Sequence, residues 1–260
     1  MSQSICQFIF FRVKPSVRPE DPSSEEGEAL LNVFRTTKHQ SGHQDSAWGR
    51  TSEDQDLIVW VMGESCPYCT AHQVAWFPRA RAPKYLVRRE LTNQTDWSDA
   101  RSSTDQNMLD PFLAEDNAQQ PTSVYVTLSP PISATATLTQ NPVTELCALP
   151  YASTLSVLEA KQINANLISF RTALMEQAPQ MAGPRSWAMG QLDRPCKLDH
   201  ALSPSGKATV HFMAVGWDSV DAHLKAKETE KFVEGIGPLR EKMLAPIPGL
   251  EMKHVSFQKI

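Results

Sequence analysis

Apolar residues recur along this chain with two periods, and the alternation between them lays out its elements. Val124, Val126 and Leu128 alternate with Ser123, Tyr125 and Thr127, the period of two that marks a half-buried strand over residues 122–129. Ala29, Leu30, Val33 and Phe34 fall instead at helical spacing and predict a helix over residues 25–38, with Gly42 as a stop. The first part of the chain thus orders as a strand (4–13), a Pro/Glu/Ser-rich loop, that helix, a short strand (46–51), a strong strand (56–63), a helix (67–77), an irregular polar stretch (91–120) and the strand 122–129. The remainder orders as a strand (145–151), a long helix (153–177) capped by Ser153 or Thr154, a strand (185–191), an inserted loop to Lys207, a strand (208–215), a helix (219–233), a short helix (238–244) and a last strand (250–258).

The second part echoes the first. Val59-Trp60-Val61-Met62 runs into Thr70-Ala71-His72, and Val210-His211-Phe212-Met213 runs into Asp221-Ala222-His223, in gapless register at an offset of 151 residues (62 to 213, 72 to 223). In both, an apolar run is expected to break at a glycine, Gly63 or Gly216, before a helix with Ala-His in its first turn. Phe34-Arg35-Thr36 and Phe170-Arg171-Thr172 close helical stretches, and Trp48 and Trp187 open the next extended ones. A duplicated unit fixes architecture before any motif is consulted. The order β-α-β-β-α-β, twice, is that of the ferredoxin-like split βαβ unit. The fold expected is α+β: two such units in one chain, at residues 1–132 and 144–260, joined by a Pro/Thr/Ala-rich linker at 133–143. Their antiparallel sheets would pack face to face, so that one chain imitates a dimer.

Composition narrows the setting. The chain has 260 residues, 41% hydrophobic and 21% charged, with a net charge of −4. That describes an ordinary globular protein with no basic surface for nucleic acid. No apolar stretch reaches the roughly 18 residues of a membrane span, and the apolar segment 5–13 reads as a first strand rather than a signal peptide. Five cysteines, an odd and sparse set, argue for a reducing, cytoplasmic setting. The partner expected is a small-molecule substrate, with no nucleic acid and no membrane, for a monomer or homodimer.

The second half, with Gly216-Trp217-Asp218-Ser219, Ala222-His223, Glu228-Thr229, Phe232 and Ile236-Gly237-Pro238-Leu239, resembles the antibiotic-biosynthesis-monooxygenase branch of the dimeric α+β barrel superfamily, in a tandem fused fungal form. The resemblance is clearest over residues 208–260. In the first unit Glu64-Ser65-Cys66-Pro67 replaces the Gly-Trp-Asp-Ser turn. The superfamily includes oxygenases without metal or flavin, cyclases, decarboxylases, isomerases and stress proteins, so the resemblance implies a fold, an intramolecular dimeric α+β barrel, more sharply than a reaction.

Cys66-Pro67-Tyr68-Cys69 invites a glutaredoxin reading, since a helix N-terminus lowers a thiol pKa and a second thiol resolves the mixed disulfide. Against it, the repeat aligns Cys66 with Trp217 and Cys69 with Val220, packing positions in the sister unit. No second Cys or His pair stands at zinc-ligand spacing. The repeated His72 and His223 read as structural imidazoles that pack or bond nearby backbone. His211 and His254 are sharper candidates. Each lies on a strand face opposite a plain apolar one (Val210-Phe212-Ala214; Val255-Phe257), and the first unit matches them with Trp60 and Tyr125. The plain face suits the sheet-to-sheet interior, and the mixed face suits a pocket between sheet and helices, where this family keeps its ligands.

The expectation is a cofactor-independent enzyme of natural-product metabolism, a cyclase or isomerase acting on a polyketide-like substrate. His211 and His254 would handle protons, Trp217, Arg171, Trp60 and Tyr125 would hold the substrate, and neither metal nor organic cofactor is called for. The alternatives are a cofactor-free oxygenase of phenols or anthrones, a non-catalytic ligand-binding or stress-response protein, and a glutaredoxin-like protein working through Cys66 and Cys69.

Overall fold

A computed structural model describes residues 4–39, 43–65, 108–114, 120–131, 137–176 and 183–260. The helix expected at 67–77, with Cys66, Cys69 and His72, lies outside the described residues.

The strands are β1 (Ser4–Arg12), β2 (His43–Thr51), β3 (Leu57–Ser65), β4 (Thr122–Val126), β5 (Val143–Ala152), β6 (Ser186–Arg194), β7 (Leu198–Asp199), β8 (Lys207–Trp217) and β9 (Lys253–Lys259). The helices are α1 (Glu25–Thr36), α2 (Val157–Met175), α3 (Val220–Lys227) and α4 (Glu230–Arg240). All pairings are antiparallel. The order β5-β9-β2-β3-β1-β4-β6-β8 returns to β5 through a β5–β8 ladder, so eight strands close into a barrel, with β7 as a short addition beside β8.

Strands of the first half stand in the order β2-β3-β1-β4, and those of the second in the order β9-β5-β8-β6. Two sheets facing each other in an intramolecular barrel were expected, and the barrel closes as the halves join edge to edge at two seams, β4 with β6 and β2 with β9. The reason is that four exposed edge strands would each leave a row of N–H and C=O groups unpaired, and closure removes every edge.

Alternation along the strands then sorts side chains. Phe8, Phe10, Val59, Val61, Val124, Val126, Leu146, Val210, Phe212, Val255 and Phe257 fill the barrel interior. Phe8 meets Phe212 there at 4.8 Å between ring centroids, across the two halves. Each ring so buried contributes roughly 1.5–3 kcal/mol. The outward face of the first half packs Ile9, Phe11, Ile58, Trp60 and Met62 beneath Leu30 and Phe34 of α1. The outward face of the second packs Leu149, Tyr151, Met213, Val215 and Trp217 beneath α2 and α4. Among the described residues no helix is long and apolar enough to cross a membrane.

Several local expectations are corrected. β8 does not break at Gly216 but runs through it to Trp217, because Gly216 pairs with both Thr144 and Ser186. The long helix is capped by Ser156 rather than Ser153 or Thr154. Ser156 and Glu159 form a reciprocal capping box, while β5 continues to Ala152. One helix over 219–233 and a second at 238–244 become α3 and α4, divided where the Thr229 side chain accepts from Phe232 N and starts a new helix. Trp48 and Trp187 are not equivalent. Trp48 faces Trp60, whereas the residue facing His211 on β6 is Gln191. Tyr125 lies opposite Gln7 on β1, whereas His254 lies opposite Glu145 on β5.

The seams demand close approach. A Cβ at Gly190 would stand 2.1 Å from the carbonyl oxygen of Thr127, and one at Gly49 would stand 2.5 Å from that of Ser256. Both obstacles are backbone at the joins between halves. Gly190→Ala and Gly49→Ala should therefore each cost about 1–3 kcal/mol, read as a fall of several degrees in melting temperature. An unchanged melting temperature in both would mean the seams are looser than described.

Candidate functional site

The second half's outward face carries a partly open cavity of about 170 Å³ between the sheet and helices α2, α3 and α4. A dry cavity of about 150 Å³ holds one benzene ring, so this one has room for a small ring system. Its walls are largely apolar: Leu149, Phe170, Leu174, Trp187, Met213 and Phe232 are among them. Such a site needs a few placed polar groups to orient a ligand. Here they are Glu145, Trp217 and His223, with Lys227 and Arg240 on the helix side.

Glu145 is the unusual residue. It stands near the start of β5, where alternation turns Leu146 into the barrel and Glu145 outward under the helices. Its side chain is 9% exposed. Trp217 Nε1 donates to its Oε2 at 3.0 Å, and His223 Nε2 lies 3.4 Å from the same oxygen. Burial pushes the carboxyl up to about 7, against the opposing pull of the Trp217 hydrogen bond and the Lys227 charge. A group that is half ionised near neutrality can both take and return a proton.

His223 sits in the first turn of α3, where Ser219 caps the helix by accepting from Ala222 N. Its ring stacks on Trp217 at 4.8 Å. Rather than bonding backbone, as its repetition suggested, its Nδ1 lies 2.7 Å from His254 Nε2. Burial, with the neighbouring His254 and Lys227, lowers it to about 3, and Glu53 opposes this only in part. His254 Nδ1 in turn lies 2.5 Å from Glu53 Oε1, and the His254 backbone N–H donates to both Glu53 oxygens at 3.0 and 3.2 Å. Partial burial works to raise Glu53, but these bonds from His254 overcome it and hold the carboxyl below its ordinary value. Glu53 belongs to the turn between β2 and β3, so the first half contributes to this cluster.

The candidates named from sequence divide. Trp217 lines the cavity and His254 joins the cluster through His223. His211 is not among the lining residues. It is buried on β8, edge-on to Tyr151 at 5.7 Å and 3.2 Å from Gln191 Nε2, and burial lowers it to about 4. Arg171 is half-buried on α2 and, among the described residues, makes no ion pair, unlike Arg35, which meets Glu28 at 2.5 Å. Trp60 is fully buried in the first half against Phe34 at 4.5 Å, and Tyr125 lies under the Arg194 guanidinium at 4.5 Å.

Sequence reasoning missed Glu145, Glu53, Lys227 and Arg240. One signal was present for Glu145, a lone carboxylate in the apolar run to Leu149 with the parity of the helix-covered face. Glu53, Lys227 and Arg240 carried none, since a charge on a turn or helix is ordinarily solvated.

No family model matches the chain, and no curated protein matches it. Among solved structures, an anthrone oxidase-like protein is similar with a TM-score of 0.54 at 9% identity, covering 100% of this chain and 94% of the other. A chlorite dismutase-like protein is similar with a TM-score of 0.53 at 8% identity, covering 100% and 95%. At this identity the likeness shows the fold alone.

The buried groups set a pH profile for stability. His211 and His223 stay neutral in the fold below their ordinary value of 6.5, so each loses stability as pH falls from 6.5 towards about 4 and 3. Glu145 is raised from 4.5 to about 7, so it acts oppositely and gains stability as pH falls through that range. Between pH 6.5 and 4.5 the balance is one proton, or roughly 2–3 kcal/mol lost over the window. Thermal melts should show a maximum near pH 6.5. In His211→Gln the fall between 6.5 and 4.5 should flatten, and an equal fall in the variant would place the sensitivity elsewhere.

Proposed function

We propose that the chain is a fused, intramolecular dimeric α+β barrel whose second half carries the catalytic pocket of a cofactor-independent enzyme. Its neighbour of matching length, the anthrone oxidase-like protein, also spans the whole fold in one chain, which supports the fused reading. Because the barrel closes on its own strands, a second copy is not required to complete it.

The carrying observation is Glu145, a carboxyl at about 7, facing an apolar cavity beside His223. The reaction that suits it begins with proton abstraction from a weakly acidic carbon or hydroxyl of a flat, electron-rich substrate such as a phenol or anthrone. The bond to hydrogen breaks, its electron pair stays on the substrate, and the proton passes to the Glu145 carboxylate. Trp217 holds that carboxylate by its N–H. Lys227 and Arg240, which make no ion pair among the described residues, would face an anionic group or the developing enolate. The carbanion then gives one electron to dioxygen, the radical pair closes a C–O bond, and the peroxide takes up a proton. Loss of its outer oxygen as water leaves a ketone, so dioxygen is the oxidant for all four electrons, as in a cofactor-free oxygenase; the name of the structural neighbour agrees with this. Return of the proton at a second carbon would make the same site an isomerase or cyclase, and a group near 7 suits that as well.

In this reading Glu145 and His223 take the role expected of His211, and His254 supports them. Glu145→Gln, nearly isosteric, should lower turnover by about 10²–10⁴-fold while the melting temperature holds or rises, since a buried ionisable group has been removed. Oxygen uptake with anthrone reports the oxygenase, and product formation under anaerobic conditions reports the isomerase or cyclase. Unaltered turnover in Glu145→Gln would remove the carboxyl from the chemistry.

A further inference from the structure

Four side chains form a continuous file from the cavity to the surface. Glu145 lines the cavity, His223 touches it at 3.4 Å, His254 follows at 2.7 Å, and Glu53 ends the file at 2.5 Å. The inner three are buried, His223 at 1% and His254 at 2% exposure, while the Glu53 side chain is 42% exposed. Glu145 and His223 line the cavity at one end, His254 is buried between, and Glu53 at the other end reaches solvent.

The direction of the hydrogen bonds is fixed by the ends. An ionised Glu53 only accepts, so His254 must donate to it from Nδ1. That leaves His254 Nε2 as an acceptor, filled by the Nδ1–H of His223. His223 Nε2 is then an acceptor too, and it faces Glu145 Oε2. Two acceptors in contact would repel, so the file is complete when Glu145 carries a proton. The same order can run in reverse, each imidazole taking a proton on one nitrogen and releasing one from the other. One turn of the file moves a proton from Glu145 to Glu53 and leaves no charge on either ring.

We propose that Glu53, His254 and His223 form a proton relay that connects Glu145 to solvent, with Glu53, a residue of the first half, as its outer port. The cavity wall is largely apolar, so few other groups there could carry off a proton taken from substrate before the next turnover. As a catalytic device the relay rests on the reading of Glu145 given above. Proton movement along it does not, and can be measured without substrate. Glu53 is a positioning and relay residue, not one that touches substrate.

The test follows the Glu145 proton directly. At pH 6 its carbonyl stretch in the infrared is identified by its loss in Glu145→Gln. The protein is then mixed rapidly into D₂O buffer and the shift of that band is timed. Glu53→Gln keeps an acceptor for His254 but cannot take up a proton, and Glu53→Asp keeps the acid. Exchange should slow on the order of tenfold or more in Glu53→Gln and stay near the native rate in Glu53→Asp. If Glu53→Gln fails to fold, the same comparison is made with His254→Gln against the native protein. Equal rates would show that water reaching the cavity is sufficient and would overturn the relay. If turnover is then found with anthrone, the rate of Glu53→Gln should recover as formate is added as a mobile proton carrier. An enzyme that shows relay-dependent exchange but no turnover retains the relay and loses the proposed reaction, so the two fail separately.

Discussion

Barrel closure is the constraint on which the rest of the structure depends. Once β4 pairs with β6 and β2 with β9, no strand edge remains, and one face of every strand looks into a single enclosed space. That space is filled by Phe8, Phe10, Phe212, Phe257 and their aliphatic neighbours, at the density of a protein interior. A polar group there would have no partner and no solvent. Ionisable side chains are therefore displaced to the outer face, under helices, where alternation places Glu145 beside Met213 and Trp217. The location of the cavity is thus a consequence of parity along the strands rather than of any motif.

Burying ionisable groups on that face has a cost, and the cluster shows how it is contained. Glu145 gives up its charge near neutrality, and His223 stays uncharged. Only Glu53, with solvent on one side and three hydrogen-bond contacts to His254 on the other, sits below its ordinary value. The one firm negative charge thus lies at the surface end, and the buried end can be neutral. The cluster also ties the β2–β3 turn to β9 beside the β2–β9 seam, so the geometry of the site and the closure of the barrel support each other.

Much of the fold was legible because it rests on local rules. Apolar patterning located all eight barrel strands to within a few residues, and Trp60 and His211, 151 residues apart, fall on β3 and β8, each paired on both sides within its own half. Helix ends were less legible, because Ser156 and Thr229 won their cap positions through a single side-chain bond that several nearby residues could have made. Closure was legible only through the family resemblance, and which edges would meet was not, since edge pairing between distant strands leaves no periodic trace. The site suffered from the same limit. His254 and Trp217 stood out by type and face, but their union with Glu53 joins residues about two hundred positions apart.

The two halves use equivalent positions for different ends. Where β8 carries His211 facing Gln191, β3 carries Trp60 facing Trp48. Where β5 places Glu145 opposite Val215, β1 places Ile5 opposite Glu64. In its described residues the first half thus packs large apolar groups where the second sets polar ones, and Phe34, Trp48 and Trp60 interlock into a rigid outer layer. Two halves with one strand order need not both carry a cavity. One half can serve as a scaffold that completes the barrel and holds a single carboxylate, Glu53, against the histidines of the other, and that division needs no departure from the shared strand order.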